Sequence, residues 1–364
     1  MKKYNWGIIG TGYAANLFAY GLRFSPNANL LAVASRTIDK AKEFCKTYKI
    51  NNAYGSYEEL VNDKAIDIVY IATPHVMHKE NSILSLKAGK SILCEKPFTV
   101  NTKEAKEVIS LARQKNLFCM EAMWTRFLPI TQKVNNIIRE GQLGDVKLII
   151  ANFGNKVKND PNNRFFSLKL GGGALLDLGV YLISLASMIF GKPTDVQSSA
   201  TIGTTGIDEQ SSYILKYSKG QQAILTSSLL VNGTNDALII GTRRILHIHA
   251  PIYSPIELNI IKNESNQFSD FTHKQNKLKD SLQNMPVIRY ILKKGMNLIT
   301  NNSKKIILQF RGNGYNYEAD EVMRSLALEE RESRFLPLDE TIAIIETMDT
   351  IRSQWNLKYP IEGG

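Results

Sequence analysis

The chain has 364 residues, 43% hydrophobic and 22% charged, with a formal net charge of +11. That length exceeds one ordinary hydrophobic core and suits two domains, and the composition excludes a disordered or fibrous chain. Cys45, Cys94 and Cys119 are odd in number and widely separated. They predict free thiols in a reducing compartment, the cytoplasm, and speak against a zinc site. We read no apolar run as approaching the ~20 residues that cross a bilayer, and the polar opening Met1–Trp6 is too short for a signal peptide. The positive charge is local: residues 262–305 carry nine Lys/Arg against Glu264, Asp270 and Asp280. The remainder is only mildly basic, so the total does not mark a nucleic-acid-binding protein.

In chain order, residues 5–10 form a short apolar run ending in glycine, as a buried parallel strand does. A helical stretch at 14–24, a strand at 30–34, an amphipathic stretch at 38–48 and a helix at 56–62 follow. Then come a strand at 66–72, a helix at 77–88, a strand at 91–94, a helix at 102–114 and a strand at 117–121. This alternation predicts right-handed βαβ units and a doubly wound parallel sheet over residues 1–122. After residue 145 the rhythm changes. Strands at 145–154, 194–202, 211–218, 221–231, 236–241, 244–249, 256–262 and 306–310 are interrupted by one helix at about 173–189. Residues 123–364 therefore read as an α+β domain with a large, mainly antiparallel sheet. A last helix, roughly 339–355, is expected to take Asp339 as its N-cap.

Gly10-Thr11-Gly12-Tyr13-Ala14-Ala15 closes the first strand and opens the first helix. In that context Gly-x-Gly-x-x-Ala is a dinucleotide-binding turn: one glycine for the turn, one for close approach to a pyrophosphate, a small residue for packing. The second strand ends in Ala34-Ser35-Arg36-Thr37, with no acid to hold a free ribose. Ser35 and Arg36 suit a 2′-phosphate, which predicts NADP rather than NAD. Cys94-Glu95-Lys96-Pro97 follows a buried strand and sets Lys96 at the carboxyl edge of the sheet, before a proline that is a candidate for a cis bond. In Gly171-Gly172-Gly173-Ala174-Leu175-Leu176-Asp177-Leu178-Gly179-Val180-Tyr181, Asp177 and Tyr181 stand i and i+4, on one helical face. They read either as a proton-handling pair or as a helix-dipole acid beside a buried tyrosine. His75 and His78 could ligate a metal, but with no third ligand apparent we prefer capping or cofactor contact.

Taken together, these motifs resemble the Gfo/Idh/MocA oxidoreductase family over nearly the whole chain. Ala72-Thr73-Pro74 with His78, and Glu95-Lys96-Pro97, belong to the same pattern. Tyr181 stands where many members have histidine. It and the stretches Glu121–Phe127 and Tyr315–Met323 resemble the dimeric dihydrodiol dehydrogenase and NADP-dependent aldose dehydrogenase branch. The resemblance implies hydride transfer to or from a hydroxyl-bearing carbon of a sugar, polyol or vicinal diol. Lys96, Tyr181 and Asp177 would be catalytic, with Lys96 lowering the pKa of Tyr181 and polarising the substrate oxygen. Thr73, Pro74, His78, Glu95, Trp124 and Arg126 would join the turn at 10–15 in binding the cofactor, and Phe153 and Arg164 would touch substrate. It also implies a homodimer or higher homo-oligomer. Two further readings stay open: a redox-neutral enzyme that keeps its nucleotide, and a non-catalytic NADP-binding regulator. The basic stretch departs from the pattern. A helix after Pro286 with Ile288, Ile291, Leu292, Met296 and Ile299 on one face could pack on the sheet, meet a partner, or rest on an anionic membrane.

Overall fold

The computed structural model describes residues 2–158, 160, 163–263 and 303–363; the helix after Pro286 and most of the basic stretch lie outside them. The first half is a parallel sheet of six strands in the order β3-β2-β1-β4-β5-β6. The strands are Tyr4–Ile9 (β1), Ala28–Ala34 (β2), Asn52–Tyr54 (β3), Ile68–Ile71 (β4), Ser91–Glu95 (β5) and Cys119–Ala122 (β6). β4 and β5 are buried along their whole length, which is why they read as continuous apolar runs rather than alternating ones. The helices are α1 (Tyr13–Leu22), α2 (Ile38–Tyr48), α3 (Tyr57–Asn62), α4 (His78–Lys87) and α5 (Thr102–Gln114). Ser56 and Asn101 cap α3 and α5 by accepting from Glu59 N and Glu104 N. The strand order reverses between β1 and β4, and in such a sheet a ligand cleft opens beyond the carboxyl ends at that point.

A helix α6 (Pro129–Arg139), started by a proline in its first turn, leads into the second half. Among the described residues its sheet has eight strands in the order β14-β13-β12-β11-β7-β10-β9-β8. These are Val146–Gly154 (β7), Asp195–Ile202 (β8), Asp208–Lys216 (β9), Gln222–Ser228 (β10), Ala237–Gly241 (β11), Arg244–Ile248 (β12), Glu257–Lys262 (β13) and Ser303–Ile307 (β14). All neighbours are antiparallel except β7 and β10, which run parallel. Side chains alternate: Ile149, Ala151 and Phe153 of β7, Tyr213 and Leu215 of β9, and Ala223 and Leu225 of β10 are buried, while Ile150, Ile214 and Ile224 face out. The strand expected at 306–310 lies at Ser303–Ile307, because its partner β13 begins at Glu257, opposite Ile307.

Two differences concern helices. Leu168–Phe190 is 23 residues long with mean hydropathy 1.8, enough by composition to span a bilayer, contrary to our reading of the sequence. In the fold it is the helical core layer, with 72% of its most apolar window buried. It is also not one regular helix. Leu175–Gly179 is a π-helical turn, and only Val180–Phe190 (α7) is α-helical. The chain then returns: α8 (Tyr315–Ala327) packs on α1, and α9 (Leu338–Ser353) lies against both α5 and α7. Asp339 does not cap α9. Pro337 holds the N-cap position, Leu338 N donates to Glu332 Oε2 (2.7 Å), and the Asp339 carboxylate instead accepts from Arg113 Nη2 on α5 (2.8 Å).

Candidate active site

The Gly10–Ala15 turn sits at the switch point. Gly10 has φ +105°, and a Cβ there would meet the Ala72 carbonyl oxygen at 2.6 Å, so only glycine fits both the backbone and the space. A Cβ on Gly12 would have nothing within 4 Å; its open side faces the cleft. α1 begins without a side-chain cap and without an acid in its first turn, leaving its amide donors and positive dipole end free for an anion. Asn16 fixes the turn from below, its Nδ2 donating to the carbonyl of Gly12 (2.8 Å). Ala15 is buried against the sheet and Tyr13 is exposed. A cavity of about 780 Å³ opens here, with Gly10, Thr11, Ser35, Arg36, Lys40 and Thr73 on its walls. An adenine dinucleotide phosphate therefore fits in shape and charge: free helix amides for the pyrophosphate, Ser35 and an exposed Arg36 beside the ribose position. Lys40 was not singled out in the sequence, since its place one turn into α2 gives no local signal.

The second part of the site brings Lys96, Asp177 and Tyr181 together. The Lys96–Pro97 peptide is cis. Lys96 Nζ donates to the main-chain carbonyl of Asp177 (2.9 Å) and lies 4.8 Å from the centre of the Tyr181 ring. Burial lowers the Lys96 pKa, opposed by the charges of Asp177 and Glu95. Tyr181 accepts from Trp124 Nε1 (3.3 Å) and packs edge-on against Phe153. Here the structure differs from expectation: burial pushes the Tyr181 phenol above its ordinary value, and Lys96 meets the ring face rather than the oxygen. The Asp177 carboxylate is buried, with Oδ1 2.9 Å from Arg164 Nη1 and 3.7 Å from His75 Nε2. Arg164 thus meets Asp177, with its own side chain still half-exposed.

Several predicted residues stand one layer behind. His78 is fully buried, and its Nδ1 and Nε2 face the carbonyls of Pro97 (2.8 Å) and Thr73 (2.9 Å), so it clamps the loops after β4 and β5. Burial holds its pKa down to about 4. His75 Nδ1 faces the Gly171 carbonyl (2.8 Å). Both histidines are spent on protein partners, which corrects the expectation of direct cofactor contact for His78. Arg126 is corrected in the same way: it is buried, donating through Nε to Ser184 Oγ (2.8 Å) and paired with Glu340. Glu95 accepts from Tyr70 OH and from the Lys96 amide (3.1 Å), and burial raises its pKa. Thr73 is buried beside Pro74 on the cleft wall.

The sequence pointed to Trp124 and Phe153 but not to the aromatic box completed by the rings that stack on them, nor to a buried acid. Trp124 stacks on Tyr315 (4.9 Å), and Phe153 on Tyr253 (5.2 Å), enclosing Tyr181. Glu318 on α8 is wholly buried, both carboxylate oxygens lack a hydrogen-bond partner among the described residues, and burial raises its pKa well above the usual range. The signal was present: Tyr315, Glu318, Ala319 and Val322 lie on one helical face, so an acid falls on the side that packs inward.

A nucleotide-binding switch point facing a lysine–tyrosine pair defines an oxidoreductase of the dinucleotide-dependent kind. The comparisons with known proteins make this specific. Residues 4–123 match the oxidoreductase family with an NAD-binding Rossmann fold, and residues 131–247 match the Gfo/Idh/MocA C-terminal domain. The chain belongs to the Gfo/Idh/MocA family and is an NAD(P)-dependent oxidoreductase. It is 34% identical over 359 residues to trans-1,2-dihydrobenzene-1,2-diol dehydrogenase of Xenopus tropicalis, covering 98% of this chain and 99% of that one. The human enzyme of the same name is 33% identical over the same span, covering 98% of each chain. Among solved structures, the fold is shared with a 3-ketoreductase from Actinomadura kijaniata in complex with NADP and TDP-benzene (TM-score 0.77, 21% identity, 97% and 98% covered). It is shared too with an aldose-aldose oxidoreductase from Caulobacter crescentus complexed with glycerol (TM-score 0.80, 19% identity, 97% of each covered).

Proposed function

We propose that this enzyme uses NADP(H) and acts on a hydroxyl-bearing carbon of a sugar, polyol or vicinal diol. The observation that carries the reading is Lys96 packed on Tyr181 beside Asp177, at the carboxyl edge of the sheet that carries the dinucleotide turn. The amides of Gly10–Ala15 hold the pyrophosphate, and Ser35, Arg36 and Lys40 hold the 2′-phosphate. Thr73, Pro74, Glu95 and Trp124 border the nicotinamide position, with His78 and Arg126 bracing them. When bound, the nicotinamide accepts or supplies the hydride. Tyr181 and Lys96 share the proton of the substrate hydroxyl and titrate as a pair. Asp177 orients the substrate with Arg164, and Phe153 shapes the pocket. The aromatic box keeps water from the reacting carbon.

The buried free thiols of Cys45, Cys94 and Cys119 support a cytoplasmic enzyme, and the outward isoleucines of the large sheet support a homo-oligomer. Fluorescence titration with NADPH and NADH, followed by a panel of aldoses, ketoses and vicinal diols read by nicotinamide absorbance, tests the reading. Tight NADPH binding with turnover of a hydroxyl substrate is expected. Equal preference for NADH would remove the NADP assignment, and binding without turnover across the panel would remove the substrate class.

A further inference from the structure

The turn that carries Asp177 does not hold itself in place. Leu175–Gly179 is wound as a π-turn, a rare geometry that is frequent at functional sites, and something must fix its entry. Asp208, the first residue of β9, lies directly beneath it and is fully buried. Its Oδ2 accepts from the Leu175 amide (2.7 Å) and from Ser211 Oγ (3.0 Å). Ser211 Oγ is in turn hydrogen-bonded with Tyr213 OH (2.6 Å) and with Ser227 Oγ (3.2 Å), and Tyr213 OH with Ser227 Oγ (2.5 Å). The carboxylate therefore receives one main-chain donor from the turn and one side-chain donor from a network spanning β9 and β10.

The same network approaches the turn at two further points. Gly173 has φ +130°, and a Cβ there would collide with Asp208 Oδ1. A Cβ on Gly179 would meet Tyr213 OH at 2.7 Å. Asp177 N donates to the Gly173 carbonyl (3.1 Å), and Lys96 Nζ to the Asp177 carbonyl (2.9 Å). Glycines 173 and 179 thus let the turn settle onto Asp208 and Tyr213, while the opposite side of the turn meets Lys96.

We propose that Asp208 is the positioning residue of the active site, setting the height and rotation of the Leu175–Gly179 turn so that Asp177 and Tyr181 meet Lys96. It touches neither substrate nor cofactor; it acts through the Leu175 amide. The proposal rests on the hydride-transfer reading for its effect on turnover, but not for its effect on the geometry around Lys96.

The test uses the full-length chain with Asp208→Ala, Asp208→Asn and Ser211→Ala. Asparagine keeps an oxygen acceptor for the Leu175 amide; alanine does not. Asp208→Ala is expected to lower kcat about ten- to a hundred-fold, the scale of a displacement near 1 Å, with NADPH affinity and KM within about three-fold of wild type. Asp208→Asn should keep kcat within about three-fold. Independently of turnover, reductive methylation of Lys96 with formaldehyde and borohydride, read by mass spectrometry, should rise several-fold in Asp208→Ala and not in Asp208→Asn. Wild type without turnover would sink the hydride-transfer reading while leaving this labelling comparison intact. Wild-type kcat and labelling in Asp208→Ala would overturn the proposal, as would equal damage in Asp208→Asn. If Asp208→Ala does not fold, Ser211→Ala decides: a kcat loss of about three- to ten-fold supports the proposal, and unchanged kcat and labelling overturn it.

Discussion

Lys96 occupies a seat largely shielded from water. Its ammonium has the Asp177 carbonyl and the Tyr181 ring face as neighbours, and burial favours the neutral amine. In alcohol oxidation a base must take the hydroxyl proton, so kcat/KM for oxidation should rise with pH. The inflection should fall below the ~10.4 of a free lysine and vanish in Lys96→Ala. A pH–rate profile of wild type and variant checks this; an unchanged inflection in the variant would assign it to another group. Arg36 makes a second prediction at this scale. Arg36→Ala should weaken NADPH about ten-fold or more and leave NADH nearly unchanged, because a charge-assisted hydrogen bond to phosphate is lost in one case only. Binding titration distinguishes the two. Arg36 stood out in the sequence because it follows closely on the end of β2, the position that faces the adenosine ribose in this fold. Tyr253 did not, since it reaches Phe153 from a loop distant in sequence that carries no local signal.

At the scale of elements, buried acids anchor strands to what covers them. Glu121 on β6 accepts from the Phe98 amide (3.1 Å) and Thr341 Oγ1 of α9 (3.3 Å), and burial pushes its pKa up to about 7. A carboxyl raised in the folded state gives stability that is complete below its unfolded pKa of ~4.3 and is lost as pH rises through about 7. The protein should therefore lose on the order of a few kcal/mol of stability from this group between about pH 4 and pH 7. Glu121→Gln should flatten that slope. Thermal melts across the range test it, and an identical slope in the variant would refute the assignment. Five of the six strands and most helices of the first half were legible because apolar runs alternate with helical stretches at βαβ spacing, whereas the short, half-buried β3 has no apolar run to mark it. The π-turn was not: the i, i+4 spacing of Asp177 and Tyr181 fits an ordinary helix, and only contact with Asp208 and Tyr213 distinguishes the two.

At the scale of the molecule, the last two helices bind the halves together. Lys106 pairs with Glu346 (2.8 Å), the Thr102 amide donates to Asp349 Oδ2 (2.8 Å), and Arg352 Nη2 donates to the Val100 carbonyl (3.0 Å). The large sheet keeps its outer face bare among the described residues, with Ile150, Ile214, Ile224 and Ile261 partly exposed. An apolar stripe of that kind suits the homo-oligomer proposed above. For that homo-oligomer, Ile214→Asp with Ile224→Asp should yield monomers, read by light scattering; a mass equal to that of wild type would overturn this face as the interface. The sheet's alternation was visible in the sequence, whereas the return of residues 315–353 to the first half was not, because no local pattern encodes which distant surface a helix will cover.

In the function proposed above, Lys96 and Tyr181 act on one proton next to a bound nicotinamide. The most direct measurement is steady-state turnover and NADPH binding of Lys96→Ala and Tyr181→Phe on the substrate that the wild type uses. Turnover should fall about 10²–10⁴-fold in each while NADPH affinity holds, because neither side chain belongs to the phosphate-binding turn. Retained turnover in either variant, or loss of NADPH binding together with activity, would contradict the account.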